Sequence, residues 1–230
     1  MESNDLTTNR RAFLGTLATG AAAMGFAGIA PLQSLASDKK YFPLDDDPDA
    51  WFNRIKGKHR IVFDVTEPHG IFPFAWPRVF LMTNAATGTP EKDNSVVVVL
   101  RHAGIPYALH NKLWEKYKFG EMFKITDDKT KTSAVRNAFW QPGKGDFQAP
   151  GIGEIAIGIN ELQESGVMFC VCNAALTVYS AAAAQGMGAN PEEVKTEWMA
   201  GLLPGIQVVP SGVWALGRAQ EKGCGYIFVR

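Results

Sequence analysis

Five short runs of β-branched and aromatic residues, separated by helix-like segments, constrain the fold of this chain most strongly. The runs cover residues 60–66, 95–100, 167–172, 206–210 and 226–229. Because they are almost continuously apolar, they predict strands that are buried on both faces. The spacing of apolar residues between them predicts helices over 73–86, 107–117, 155–162, 174–185, 191–199 and 212–222. This alternation predicts an α/β three-layer sandwich, with about five mostly parallel strands and helices on both faces.

The amino terminus carries a predicted export signal. Arg10 and Arg11 are followed by x-Phe-Leu and by a weakly hydrophobic run over 12–30. Together these features look like a twin-arginine signal, which the Tat translocase recognises. Small residues at 34 and 36 predict cleavage between Ala36 and Ser37. A permanent membrane anchor is the alternative, but four glycines lower the hydrophobicity of the run. We therefore expect a periplasmic protein that keeps no stable membrane span after cleavage.

The sequence divides into three segments: the signal peptide over 1–36, an N-terminal extension over 37–57, and the α/β domain over 58–230. The acidic run over 45–49 predicts the start of a short helix, and a cation site is the alternative. Residues 118–152 interrupt the alternation with glycines and prolines around Phe139, Trp140 and Phe147. A stretch this long is either a functional excursion or an oligomer contact.

Composition excludes several classes of function. Lys and Arg total 23 and Asp and Glu total 23, so the net charge is zero and a broadly basic nucleic-acid binder is excluded. No Gly-x-Gly-x-x-Gly follows a strand, so we predict no dinucleotide cofactor. Cys170 and Cys172 form a Cys-x-Cys pair, but structural zinc sites need two spaced ligand pairs. We predict no metal, while a small metal- or cofactor-binding protein remains an alternative.

In open parallel sheets, ligands bind beyond the carboxyl ends of the strands. The predicted ends here are the loops at 64–68, 101–104, 172–173 and 210–212. The candidate site residues on these loops are Asp64, His102, Cys172, Asn173, Ser211 and Gly212. Cys172 is the first candidate nucleophile, because the N-terminus of the helix that follows would stabilise a thiolate. Its alternative role is that of a small buried hydrophobic residue.

The other candidates carry open alternatives. His102 could steer a proton or an anionic sulfur species, or it could cap a loop. Cys170 should share the strand face of Cys172, but regular strand spacing prevents a direct disulfide and favours a core position. Cys224 could be a resolving thiol if the fold brings it close to Cys172. Ser211 could form a catalytic triad with His102 and Asp64. Nothing indicates a nucleophile elbow, however, so the expected role of Ser211 is to cap the last helix by bonding its backbone.

Two C-terminal motifs resemble the DsrE/DsrF-like family of small sulfur-relay proteins. They are Gly166-Val-Met-Phe-Cys-Val-Cys-Asn173 and Leu203-Pro-Gly-Ile-Gln-Val-Val-Pro-Ser-Gly-Val213, followed by a Gly-Tyr-Ile close at 225–227. Phe63-Asp-Val-Thr66 and the strand that ends in His102-Ala-Gly104 agree with the family's first half. The resemblance covers about 59–110 and 153–230, and it departs at Ala103, in the longer 111–152 region and at Cys224. It implies a homo-oligomer in which Cys172 carries a persulfide.

Three functions follow as hypotheses. The first is a periplasmic sulfur carrier or transferase. It takes sulfur from a donor and passes it to an acceptor, and each of these is a protein or a small sulfur species. The second is a non-catalytic binding or assembly subunit with the aromatic residues of 139–147 as its contact surface. The third is the small metal- or cofactor-binding protein named above.

Overall fold

A five-stranded parallel sheet forms the centre of the domain in a computed structural model that describes residue 47 and residues 49–229. The strands of the described residues are β1 (His59–Val65), β2 (Asn94–Leu100), β3 (Gln148–Ala149), β4 (Gly153–Glu154), β5 (Met168–Cys172), β6 (Gln207–Val209) and β7 (Gly225–Val229). The main sheet has the order β6-β5-β2-β1-β7, and every neighbouring pair is parallel. The five predicted strands and their parallel arrangement are confirmed. β3 and β4 form a separate antiparallel hairpin.

The α-helices of the described residues are α1 (Phe72–Ala86), α2 (Asn111–Lys116), α3 (Phe119–Met122), α4 (Ile159–Glu164), α5 (Asn173–Met187), α6 (Pro191–Ala200) and α7 (Gly212–Glu221). Short 3-10 helices cover Ala50–Arg54, Glu91–Asp93 and His102–Ala108. No helix in this part of the chain is both long and apolar enough to span a membrane. The twin-arginine motif and the predicted cleavage position lie outside the described residues.

The predicted helix over 107–117 is wrong in its first half. Pro106 lies within the 3-10 helix His102–Ala108, and Leu109 and His110 are extended. Their backbone bonds to a distant segment instead: the amide of His110 donates to the carbonyl of Gly201, and the amide of Leu203 donates to the carbonyl of Ala108. Long-range pairing has therefore replaced the local helical hydrogen bonds that the apolar spacing suggested.

Hydrophobic clusters cover both faces of the sheet. The larger cluster packs α1, α4, α5 and α6 on one face, around residues such as Phe74, Phe169 and Trp198. The smaller cluster packs α7 on the other face, with Val97, Val99 and Cys170 from the strands. The 3-10 helix Ala50–Arg54 adds Trp51 and Phe52 to the smaller cluster, so the end of the N-terminal extension is part of the domain. The predicted three-layer sandwich is confirmed.

Residues 118–152 fold back onto the larger cluster. Phe139 lies 4.3 Å from Phe74 and stacks on Phe147 at 5.0 Å between ring centroids. Phe139 is buried, and Trp140 and Phe147 are partly buried against the same cluster. The aromatic residues of this segment thus pack inward, and they do not form the exposed contact surface that the second hypothesis required.

The connections between strands define where the sheet can hold a ligand. The chain passes from β1 to β2, β5 and β6 in one direction, with the connecting helices on the face of the larger cluster. It then crosses the opposite face through α7 and adds β7 beside β1. The helices that follow β5 and β6 consequently leave towards opposite faces. The gap between these two strands is the topological switch point, where open α/β sheets bind ligands.

Candidate functional site

The N-termini of two helices meet at the switch point. Cys172 pairs with Val209 across the end of β5 and β6. α5 begins at the next residue, Asn173, and α7 begins at Gly212. The amide of Ala174 donates to the carbonyl of Pro210 over 3.2 Å, which ties the two loops together. Both helix N-termini carry partial positive charge, so this edge of the sheet favours an anion or a thiolate.

Cys172 is the N-cap residue of α5. Its Sγ accepts a hydrogen bond from the amide of Ala175 over 3.3 Å. The residue is only 6% exposed, so a molecule that reaches its Sγ has to be small or has to displace neighbouring side chains. Backbone amide donors and helix N-termini are common surroundings of nucleophilic cysteines. Cys172 has the local geometry of such a cysteine, with restricted access.

A buried ion pair lies beside this thiol. The guanidinium of Arg101 donates two hydrogen bonds to the Asp64 carboxylate, at 2.6 Å from Nε and 2.9 Å from Nη2. The hydroxyl of Tyr226 donates a third over 2.8 Å. Asp64 is 1% exposed, and Arg101 and Tyr226 together give its carboxylate three hydrogen bonds. Asp64, predicted as a binding residue, therefore holds Arg101 in place at the carboxyl edge of β2.

The electrostatics connect Arg101 with Cys172. Hydrogen bonding to Asp64 raises the pKa of Arg101, burial opposes this, and electrostatic interactions with Asp64 and, to a smaller extent, with Tyr226 and Cys172 add to the increase. Gly212 leaves room for the aliphatic part of the Arg101 side chain, because a Cβ at position 212 would lie 2.5 Å from the Cβ of Arg101. Arg101 thus stays charged and lies between Asp64 and the loop that begins α7.

Sequence reasoning missed Arg101 and Tyr226. A signal for Arg101 was present, since an aspartate in the middle of an apolar strand needs a cation partner, and Arg101 follows the neighbouring strand. Tyr226 could not be found this way, because its contact with Asp64 depends on β7 lying next to β1.

His102 and Ser211 have local partners. The Nδ1 of His102 lies 3.3 Å from the carbonyl oxygen of Thr66, and its ring meets Tyr179 edge-on at 5.8 Å. Ser211 is the N-cap of α7, and its Oγ accepts from the amide of Trp214 over 3.2 Å. In the described part of the chain, neither side chain bonds the other or Asp64. The structure thus places His102 as a loop cap and Ser211 as a helix cap, and it does not assemble a triad.

The three cysteines are free and buried, and they occupy different places. Cys170 packs in the smaller cluster, whereas Cys172 belongs to the larger cluster, so the two thiols do not share a packing environment as the strand alternation suggested. Burial raises the pKa of the Cys170 thiol. Asn173 is buried at the first position of α5.

Cys224 lies at the opposite end of the sheet from Cys172. The residue after it, Gly225, pairs with Ile61 near the start of β1, whereas Cys172 ends β5. β2 and β1 also separate β5 from β7. The fold therefore does not bring Cys224 close enough to act as a resolving thiol for Cys172 within one chain. Burial raises the pKa of Cys224 to about 11, and nearby Arg60 opposes this increase.

Among the residues that the structure describes, no group of three or more His, Cys, Asp or Glu side chains is arranged to hold a metal ion. The groups described at the switch point are one thiol, two helix N-termini, and one guanidinium whose charge is paired with Asp64. The helix N-termini favour an anionic group at this edge.

Fold and site together define a parallel α/β sandwich with a capped thiol at its switch point. Comparison with known proteins adds little: no family model and no curated protein matches the chain. Among solved structures, the chain is similar to a protein of unknown function, MTH1491, from Methanobacterium thermoautotrophicum. The two share 19% identity over 74% of this chain and 99% of that one, with a TM-score of 0.38. Such a likeness carries no information about function.

Proposed function

We propose that this protein is a DsrE-like sulfur carrier or transferase in which Cys172 holds a transferable sulfur atom as a persulfide. The observation that carries the proposal is the environment of one sulfur atom. Cys172 Sγ accepts the Ala175 amide at the start of a 15-residue helix, and Arg101 adds a positive charge nearby. The two motifs that resemble the family form the loops that flank this crevice, at 172–173 and 210–212.

The transfer is balanced without an external oxidant. The Cys172 thiolate attacks the outer sulfur of a donor persulfide, R–S–SH. The S–S bond of the donor breaks, R–S⁻ leaves with the electron pair, and Cys172–S–SH remains. An acceptor thiolate reverses these steps. The Ala175 amide and the Arg101 guanidinium stabilise the anionic sulfur at the start and at the end of each transfer.

The cellular setting belongs to the proposal. The twin-arginine motif supports export by the Tat translocase and a periplasmic location. The donor and acceptor would be sulfur-carrying proteins or small sulfur species, and the balanced net charge gives no support for nucleic acid as a partner. The family resemblance further supports a homo-oligomer.

Intact-protein mass spectrometry tests the proposal. Protein treated with glutathione persulfide should gain one sulfur atom, and reductant should remove it. Cys172→Ser should abolish the gain. Cys224→Ser is the matched control, because it removes a buried thiol at the other end of the sheet, and it should leave the gain unchanged. No gain in the wild-type protein, or a gain that persists in Cys172→Ser, contradicts the proposal.

The second hypothesis, an assembly subunit without sulfur chemistry, is supported by a different surface. Trp76, Val79 and Met82 are about 40% exposed along α1. The outer strand β7 exposes Tyr226, Ile227 and Phe228, with exposed fractions of 39–46%. A folded protein that binds its partner equally well as the Cys172→Ser variant, and that never accepts sulfur, would favour this hypothesis over the first.

A further inference from the structure

A cavity of about 270 Å³ lies under residues 118–152, outside the switch point. It is bordered by the loop that follows β1, the 3-10 helix His102–Ala108 and the segment from Lys124 to Phe147. Neither Cys172 nor Arg101 lines it. Its volume falls just below the usual range for drug-sized ligands, so its occupant would be a smaller molecule.

Aromatic rings form the inner wall of the cavity. Tyr107, Trp114, Phe139 and Phe147 all line it. Phe139 and Phe147 are parallel within 3°, and Tyr107 meets Phe139 edge-on at 81° and 5.6 Å. Phe139 already packs against Phe74, Tyr107 and Phe147. Phe147 contacts no other ring within the described residues, so the ring of a planar ligand can pack against it.

The inner wall also contains a polar group that can bond a ligand. Tyr107 is 2% exposed as a whole, and no described residue hydrogen-bonds its hydroxyl. Its oxygen is nevertheless not fully enclosed by the protein, so a small molecule in the cavity can reach it. Burial, together with the charge of Asp128, raises the pKa of Tyr107, so the group remains a neutral hydroxyl. A ligand in the cavity would complete the hydrogen bonding of this hydroxyl.

Some of the cationic groups at the cavity are not fully paired with carboxylates and can therefore bind an anion. The Nε of Arg136 donates to Asp127 over 3.0 Å, but its terminal nitrogens bond no described residue. Lys129 is paired with Asp146, and Asp128 lies 3.7 Å from Lys131. Lys124 lines the cavity and forms no ion pair within the described residues. The carboxylates are therefore matched by cations, whereas Lys124 and the outer end of Arg136 can meet an anion.

We propose that this cavity binds a small aromatic carboxylate with a hydrogen-bonding group opposite the carboxylate. The ring would contact Phe139 and Phe147, the carboxylate would face Lys124 and Arg136, and the opposite group would bond the Tyr107 hydroxyl. This site is separate from the sulfur chemistry proposed for Cys172.

Isothermal titration with 4-hydroxybenzoate and benzoate tests the proposal on the wild-type protein. We expect saturable one-to-one binding of both, with 4-hydroxybenzoate the tighter. Tyr107→Phe removes only the hydroxyl, so it should weaken 4-hydroxybenzoate about 2- to 10-fold, the loss of one hydrogen bond, and leave benzoate unchanged. Lys124→Gln at the exposed rim should weaken both ligands about 2- to 5-fold.

Two controls locate the binding. Ala138→Leu places a larger side chain on the cavity lining and should abolish binding, while circular dichroism checks that the variant is folded. Cys172→Ser should bind like the wild type, which separates this result from that of the sulfur proposal. The absence of saturable binding in the wild type would overturn the proposal. Binding retained by folded Ala138→Leu, or equally tight binding of 4-methylphenol, which has no carboxylate, would also overturn it.

Discussion

The ion pair between Arg101 and Asp64 should respond very differently to the loss of each partner. Asp64 is 1% exposed, whereas the Arg101 side chain is 26% exposed. Arg101→Leu would leave a buried carboxylate with only the Tyr226 hydroxyl as donor. Asp64→Leu would leave a guanidinium that can turn towards water. The first substitution should therefore destabilise the protein more than the second.

The structure sets the magnitudes. Removing one partner of a buried ion pair costs about 3–5 kcal/mol, and we expect Arg101→Leu to fall in this range. Asp64→Leu loses the charge-assisted hydrogen bonds but places an apolar side chain beside Val62 and Val99, so its cost should be about 1–2 kcal/mol. For a domain of this size, each kcal/mol of lost stability lowers the melting temperature by about 2–4 °C. The expected decreases are about 6–20 °C for Arg101→Leu and about 2–8 °C for Asp64→Leu.

Urea and thermal unfolding, followed by tryptophan fluorescence, measure both effects on the wild type and on the two variants.

Lys116→Leu is the control, because Lys116 and Glu197 form an exposed ion pair. Exposed pairs contribute little to stability, so this variant should change the free energy of unfolding much less. Equal losses for Arg101→Leu and Asp64→Leu, or a larger loss for Asp64→Leu, would refute the argument that burial of Asp64 governs this site.

Three further predictions address the thiols, the assembly and the export. The burial that raises the pKa of Cys224 to about 11 should make its alkylation by iodoacetamide slow at about pH 8 and faster towards about pH 11, as peptide mass spectrometry would show; a pH-independent rate would contradict this. If chains associate through β7, Ile227→Lys should reduce the oligomer seen by size exclusion with light scattering, whereas Val213→Lys on exposed α7 should not; a monomeric wild type would refute the oligomer. Replacing Arg10 and Arg11 with lysine should prevent appearance of the protein in the periplasmic fraction, and unchanged export would reject the twin-arginine interpretation.

The sheet was predictable because its strands are locally encoded. Val96 to Val99 and Met168 to Val171 are buried on both faces, and such continuous apolar runs carry their own signal. The helix predicted from Tyr107 failed because Leu109 pairs with Leu202, nearly a hundred positions later in the chain. The region over 118–152 lacked periodicity for a related reason. Its packing depends on distant partners such as Phe74, and no local pattern records them.

The candidate site was only partly predictable from the sequence. The difference between the residues that could be placed and those that could not has a physical cause. Cys172 and Ser211 could be placed at helix N-termini because a strand end followed by a helix start is a local feature. The environment of Asp64 depends on strand order, which brings β2 to one side of β1 and β7 to the other. Arg101 and Tyr226 reach Asp64 from these two neighbours. The Arg101 contact had a signal in the sequence, whereas the Tyr226 contact becomes visible only once the order of the strands is known.

The same network connects the outer edge of the sheet with the switch point. Tyr226 lies on β7, which within the described residues pairs with β1 alone. Tyr226 is 46% exposed, yet its hydroxyl bonds buried Asp64. Asp64 in turn fixes Arg101, whose charge interacts with Cys172. A partner that covers β7 and shifts Tyr226 would change the hydrogen bonding of Asp64 and hence the position of Arg101. If chains associate through β7 and Cys172 carries sulfur, as proposed, association along this edge would change the charge environment of that sulfur through three side chains.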